Sequence, residues 1–386
     1  MTYIYICVSV GDEVILFEPF FDLYVNQIKL AGGVPVYVPL TFVPYDDESG
    51  GGEWILEDSV VKEKITHQTR AIILNSPHNP TGKVFTKQEM ETIAKYVQTQ
   101  AGPQCVVLSD EVYKYIIHSP PPMDEDESEL VSKKKSSLSC PGHVHFATLP
   151  GMWERTITIS SAGKTFSATG WQVGWCIGPR SLIQPIHQLL PYVQFCASTV
   201  IQDALARTLV KADEPYEGFP TYYDYLRAMY TRKRDLLASS LRQHGFGIPN
   251  YNHQTPGGGF FIFARMTPNI QTALPSNRIN VPNNAAPGGI ARKDWAFCQW
   301  LLETKGILCI PASPFFSSQP RTVTSNNSNK EVATSDEFIR IAFCKSDDTI
   351  QTAAHGFSLL QPTNEEETET EMKDSMEKTP TTMEQK

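Results

Sequence analysis

Lys164 stands where an amine can react. It lies in the run Thr156-Ile-Thr-Ile-Ser-Ser-Ala-Gly-Lys-Thr-Phe-Ser-Ala-Thr-Gly-Trp-Gln-Val-Gly-Trp175. A β-rich segment, Thr156 to Ser160, passes there into small residues that let the backbone approach a ligand closely. Ser161 precedes the lysine by three positions, so a hydroxyl and an amine can converge on one bound group. A lysine held in such a pocket can lose its proton and form a Schiff base with an aldehyde. Two blander readings compete. Gly163-Lys164-Thr165 has the ending of a phosphate-binding P-loop, but that motif needs a glycine five positions before Gly163, where Thr158 stands inside the strand. The P-loop reading fails. A lysine in a short polar loop is otherwise an ordinary solvated charge, and Lys164 alone does not decide between that and catalysis.

Two further strand ends do. Ala71-Ile-Ile-Leu-Asn-Ser-Pro-His-Asn-Pro-Thr-Gly-Lys83 is an apolar strand running into a Pro- and Gly-rich turn that displays Asn79. Gln104-Cys-Val-Val-Leu-Ser-Asp-Glu-Val-Tyr113 is a second buried strand ending in Asp110, with Tyr113 three residues later. Near-continuous apolar strands belong to parallel sheets buried on both faces. In such sheets ligands bind beyond the carboxyl ends of the strands. An amide, a carboxylate with a phenol, and an amine each follow a strand end here, which is the layout of an active site.

In this order, Asn-Pro-x-Gly, Asp-x-x-Tyr and Ser-x-x-Lys resemble the fold-type I, class I aminotransferases. Gly11-Asp-Glu-Val-Ile-Leu-Phe-Glu-Pro-Phe-Phe-Asp22, Ser76-Pro-His-Asn-Pro-Thr-Gly-Lys-Val-Phe85, Asp110-Glu-Val-Tyr113 and Ser161-Ala-Gly-Lys-Thr-Phe-Ser-Ala-Thr-Gly-Trp171 are most similar to the kynurenine aminotransferase group, also known as cysteine-S-conjugate β-lyases and glutamine transaminase K. The similarity runs from about Gly11 to about Leu360. It implies pyridoxal 5′-phosphate as cofactor, held covalently by Lys164, which then shuttles the proton between the substrate Cα and the cofactor. Asp110 would pair with the protonated pyridine nitrogen and keep the ring an electron sink. Asn79 and Tyr113 would donate hydrogen bonds to the ring's 3′-oxygen, and Ser161 would contact the phosphate. Arg340, in Glu337-Phe-Ile-Arg-Ile-Ala-Phe343, would bind the substrate carboxylate beside Asn79, a task its planar fork suits. The plainer reading of Arg340 is an edge-strand charge with an acidic neighbour.

The chain departs from the family pattern in two places. Gln172 follows Gly-Trp where the family carries Arg or Lys, so the cofactor phosphate would meet a hydrogen-bond donor without a charge. Family members also begin with an arm and a helix before the Gly-Asp-Glu-Val strand. That region carries part of the substrate pocket, the aromatic residue stacked on the pyridine ring and a turn that cradles the phosphate. Met1 to Val10 does not match it, so an N-terminally truncated chain is expected.

The resemblance implies transamination of kynurenine, glutamine or a similar amino acid with a 2-oxo acid such as 2-oxoglutarate. The same site can perform β-elimination on cysteine S-conjugates, with pyruvate and ammonia as the distinguishing products. A third reading is a catalytically impaired homologue that survives as a dimerising or binding protein. Gln172 and the unmatched N-terminus favour it, while intact Lys164, Asp110, Tyr113, Asn79 and Arg340 oppose it. A homodimer with sites at the subunit interface is implied by the family.

The elements that must position these residues read as α/β: a mainly parallel sheet with helices on both faces, plus a smaller α+β C-terminal domain. Strands are expected at Glu13–Phe17, Val34–Val38, Ala71–Leu74, Cys105–Ser109, Thr156–Ser160 and Val173–Ile177, with helices at Asp58–Thr66 and Lys87–Thr99. Helical runs follow over Ser181–Val210 and Pro220–Gln243. The large domain spans 1–235, with an inserted loop at 119–145; the small domain spans 236–360, with excursions at 266–289 and 317–335. Residues 361–386, rich in Glu and Thr without an aromatic, read as a disordered acidic tail.

Composition narrows the rest. The 386 residues carry a formal net charge of −9, which argues against non-specific nucleic-acid binding. Met1 to Val10 is too short to span a bilayer and lacks the basic start of a secretory signal. Eight dispersed cysteines without a CxxC pair read as reduced thiols in a cytosol-like compartment; a mitochondrial location would require a missing upstream targeting segment. His143 and His145 near Cys140 raise the question of metal, but they fall in a variable surface loop, and no metal site is expected.

Overall fold

The computed structural model describes residues 4, 7–45, 49–118, 142–249, 257–275, 278, 291–317 and 334–360. Successive apolar residues of β1 (Glu13–Glu18) point to opposite faces of a sheet, and both faces are covered. Ile15 and Phe17 join a core with Ile72, Leu74 and Val107 on one side, while Val14 and Leu16 join Ala71, Ile73, Val106 and Leu108 on the other. That double burial is why β1, β5 (Thr69–Asn75) and β6 (Val106–Asp110) are almost wholly apolar in sequence. With β2 (Val34–Pro39), β7 (Thr156–Ser161) and β8 (Gly174–Ile177) they form a six-stranded sheet in the order β2-β1-β5-β6-β7-β8. All pairings are parallel except β7 with β8.

Helices α1 (Leu23–Leu30), α2 (Asp58–Lys64) and α3 (Lys87–Thr99) follow the early strands. The start of α3 is fixed by a capping box, in which Thr86 and Glu89 each satisfy the other's backbone N–H. One short helix, α4 (Ala162–Thr165), carries Lys164. The expected run over Ser181–Val210 divides into α5 (Arg180–Val193) and α6 (Thr199–Lys211), and α7 (Tyr222–Gln243) follows. Beyond it lie β9 (Phe246–Gly247), β10 (Phe261–Met266), α8 (Pro268–Gln271), α9 (Lys293–Lys305), β11 (Ile310–Pro311), β12 (Phe338–Ala342) and α10 (Asp347–Ser358). Their strands make a four-stranded antiparallel sheet, β11-β12-β10-β9.

Sequence patterning does not reveal the hairpin β3 (Thr41–Pro44) and β4 (Gly52–Ile55), yet this hairpin joins the two sheets. Phe42 lies 5.2 Å and Trp54 5.3 Å, ring to ring, from Phe338 of β12, which stacks on Phe263 of β10 at 5.2 Å. The same core includes Phe17 and Leu74 from the large sheet and Phe85 from the segment between β5 and α3. Aromatic packing therefore sets β12 against the carboxyl ends of the parallel strands. Among the described residues, no helix is long and apolar enough to cross a membrane. The expected acidic tail and most of the 119–145, 266–289 and 317–335 segments lie outside the described residues.

Candidate active site

Parallel register brings the predicted residues to one edge of the sheet. Asn75 ends β5 opposite Asp110, the last residue of β6, and Asp110 faces Ile159 of β7, two residues before Ser161. Asn75 closes the gap between two motifs: its Oδ1 accepts from the Asn79 backbone N–H at 2.8 Å, and its Nδ2 donates to the Asp110 carbonyl at 3.1 Å. The turn that displays Asn79 is held by polar contacts kept out of water. His78 Nδ1 lies 2.8 Å from Thr81 Oγ1, and Lys83 reaches Glu89 at 2.8 Å. Burial, and then the charge of Lys83, push the His78 imidazole down to about 3. Gly258 lets the approach to β10 pass against this turn, since a Cβ there would lie 2.7 Å from Pro77 Cβ and 3.0 Å from the Ile116 carbonyl.

The Asp110 carboxylate makes no ion pair with a described residue. It accepts a short hydrogen bond from the Tyr24 hydroxyl and one from the Val112 N–H at 3.3 Å. Burial raises its pKa, which these two bonds and the nearby charge of Lys164 partly offset. Tyr24 in turn packs edge-on against Phe21, centroids 5.5 Å apart. Lys164 Nζ lies 5.7 Å from the centre of the Phe260 ring and 6.0 Å from that of Tyr113. Tyr113 is buried against Phe260 and Phe261, and its phenol is raised chiefly by that burial.

Arg340 comes from the other sheet. It pairs with Phe263 on one side and Ile310 on the other, so it sits on an inner strand rather than an edge. Its guanidinium carbon is 4.5 Å from the Phe261 ring centre and 4.8 Å from that of Phe315. Nη1 donates to Asn79 Oδ1 at 2.8 Å, which links residues 261 positions apart. Burial lowers the guanidinium pKa, and Nε is buried without a hydrogen-bond partner among the described residues.

These groups fit the expected cofactor where its ring and aldehyde are concerned. A partly buried carboxylate that makes no ion pair matches a protonated pyridine nitrogen. Lys164 makes no hydrogen bond among the described residues, so its side-chain nitrogen is available to an aldehyde, and the unused Nε–H of Arg340 matches a carboxylate. The phosphate end is more weakly provided. Ser161 caps α4, its Oγ accepting from the Gly163 N–H at 3.0 Å and reaching the Val173 carbonyl at 3.5 Å. Gln172 is exposed, in a left-handed conformation at φ 54°, and its amide bonds back to the Thr169 carbonyl at 2.7 Å. Sequence reading gave no role to Asn75 or Tyr24. The available signal was a polar residue closing an apolar strand.

The expected surface loop behaves differently at its end. The His143 side chain is fully buried and His145 contacts the buried Glu111, the neighbour of Asp110. Those residues are docked rather than solvated.

The sequence matches the family model for class I and II aminotransferases over residues 2–357. It is 37% identical over 352 residues to the kynurenine--oxoglutarate transaminase of Dictyostelium discoideum, covering 90% of this chain and 70% of that one. It is 33% identical over 354 residues to kynurenine--oxoglutarate transaminase 3 of Bos taurus, covering 89% of this chain and 65% of that protein. The chain thus spans about two thirds of the length of these curated relatives. Its fold matches that of N-succinyldiaminopimelate aminotransferase from Mycobacterium tuberculosis with a TM-score of 0.68 and 30% identity, over 93% of this chain and 74% of the other.

Proposed function

The chain belongs to the class I and II aminotransferase family, and on that premise we propose that it transfers the amino group of kynurenine, glutamine or a similar amino acid to a 2-oxo acid such as 2-oxoglutarate, using pyridoxal 5′-phosphate. The observation that carries this reading is the set of unspent polar groups around Lys164. Among the described residues, the amine of Lys164, the hydroxyl of Tyr113 and Nε of Arg340 have no hydrogen-bond partner, and the partly buried Asp110 carboxylate makes no ion pair. Bound pyridoxal phosphate supplies an electron-withdrawing ring that acidifies the Cα–H of an attached amino acid.

The chain's own groups would do the rest. Asp110, whose charged form the bonds from Tyr24 and Val112 favour, would hold a positive ring nitrogen. Lys164 would hold the cofactor at its aldehyde and would accept and return the substrate's Cα proton at Nζ. Arg340 holds the α-carboxylate between the faces of Phe261 and Phe315, while Asn79 fixes the guanidinium orientation. Phe260 and Tyr113 shield the amine from water. The kynurenine and 2-oxoglutarate assignment draws on the curated relatives, whose names carry both.

The partner we propose is a second copy of the chain. Tyr192, Phe195, Val200 and Val210 on and between α5 and α6 are largely exposed, and apolar surface of this kind suits an interface. The seven described cysteines are free thiols, which suits a reducing, cytosol-like compartment. The test is glutamate formation from kynurenine and 2-oxoglutarate with added pyridoxal phosphate. Activity lost in Lys164→Ala supports the reading; activity that survives the substitution, or release of pyruvate and ammonia from a cysteine S-conjugate without amino transfer, overturns it.

A further inference from the structure

A second cluster of ligating side chains stands beside the site and takes no part in the chemistry above. Glu111, buried directly after Asp110, has Oε1 bonded to Ser109 Oγ at 3.0 Å. Its Oε2 lies 2.5 Å from His145 Nδ1 and 3.0 Å from His143 Nε2. The two imidazoles stand edge to face, centroids 4.7 Å apart at 84°. His143 has a side chain with no solvent exposure, yet both its nitrogens lack a hydrogen-bond partner among the described residues. Its 3.0 Å approach to Glu111 is therefore off the hydrogen-bonding direction. An imidazole out of water with neither nitrogen satisfied is unfavourable and calls for a partner.

A metal ion would supply one. The ligand atoms of the three residues all lie within 4.8 Å of one another. Zinc bound at roughly 2.0–2.2 Å by imidazole and carboxylate sets tetrahedral ligand separations of about 3.3 Å. The two separations from Glu111, 2.5 Å and 3.0 Å, are shorter than that figure, and a withdrawal of the carboxylate by less than about 1 Å from both imidazoles would open them to it. His145 is 35% exposed, so a solvent molecule has access to the remaining position.

We propose that Glu111, His143 and His145 form a divalent transition-metal site of two imidazoles and one carboxylate, which takes Zn²⁺ or Co²⁺. The ion pins residues 142–148 to the end of β6, next to Asp110. It adds a structural clamp to the molecule independently of the amino-transfer reading.

The chain, freed of metal by chelator, is titrated with Co²⁺ alone. One saturable ion per chain is expected, with visible d–d bands of four-coordinate strength and displacement by Zn²⁺. His145→Ala and Glu111→Gln should each weaken binding tenfold or more, while His187→Ala, on the exposed face of α5, should leave it unchanged. Zinc-edge X-ray absorption on the unaltered chain needs no variant and should show two imidazoles in a nitrogen and oxygen shell. No saturable binding at millimolar cobalt, a sulfur-containing shell, or full binding in a folded His145→Ala chain would each overturn the site.

Discussion

Replacing Asn75 with alanine strands a buried backbone group and weakens the hold on a second. The Asn79 N–H loses its acceptor at 2.8 Å, while the Asp110 carbonyl loses one donor at 3.1 Å and keeps the other, the Ser76 N–H, also at 3.1 Å. Asn75 and Asn79 are each 4% exposed, so water cannot fully substitute. A buried polar group left without its partner costs about 1–3 kcal/mol, which is the expected loss for the Asn79 N–H. Against a total stability of about 5–15 kcal/mol, that is a large share. Asn75→Asp separates the two bonds. It keeps an acceptor for Asn79 but sets a carboxylate oxygen against the Asp110 carbonyl. Its folded-state pKa should then rise above the unfolded value, so the stability it adds is present at low pH, where the protonated acid can donate, and is lost as pH rises through the folded pKa. The alanine variant has no such pH term. Urea unfolding read by two probes, with hydrogen exchange at the Asn79 amide, checks both. Equal stability of Asn75→Ala and the parent within about 0.5 kcal/mol, with unchanged Asn79 exchange, refutes the reasoning.

Further consequences concern the charges around the site. Arg340→Lys keeps the positive charge but loses the fork, the Asn79 bond and the two ring faces. The loss should be about 2–4 kcal/mol, which lowers kcat/KM about 30- to 1000-fold, mostly through KM; an unchanged KM for both the amino acid and the oxo acid would show that Arg340 is not the carboxylate's partner. Tyr24→Phe removes a donor from the charged form of Asp110, worth about 1.5–3 kcal/mol, so the Asp110 pKa should rise further. Carbonyl-carbon NMR titration of the labelled chain reads this, and a fall or no movement contradicts it. His78 and His118 are each held at about 3, chiefly by burial and then by Lys83 and Arg234 respectively, against about 6.5 when unfolded. Below pH 6.5 the unfolded chain gains protons that the folded chain does not, so stability falls toward pH 3 by about 1.4 kcal/mol per pH unit for each histidine. His78→Gln or His118→Gln should each flatten that acid limb, and an unchanged slope would sink the assignment.

The candidate site residues were legible because each ends or follows a strand with a clear apolar run. Ala71–Leu74, Cys105–Ser109 and Thr156–Ser160 were placed within two residues of the observed strands, and with them Asn79, Asp110 and Lys164. What could not be read is what depends on contacts between distant segments. Tyr24 meets Asp110 across 86 positions and Arg340 meets Asn79 across 261, distances over which sequence periodicity carries no information. The β3–β4 hairpin was missed because its strands are four residues each and interrupted by proline and glycine. The 142–145 segment was read as solvated from its polar, proline-flanked composition, although burial against Glu111 decides its placement.

The account rests on Lys164 as the group that holds the cofactor aldehyde. Borohydride reduction of the purified chain after incubation with pyridoxal 5′-phosphate, followed by peptide mass mapping, tests this directly. The account predicts one cofactor per chain fixed to the peptide that contains Lys164, and none there in Lys164→Ala. Modification spread over surface lysines, or an unmodified Lys164 peptide in the unaltered chain, would contradict it.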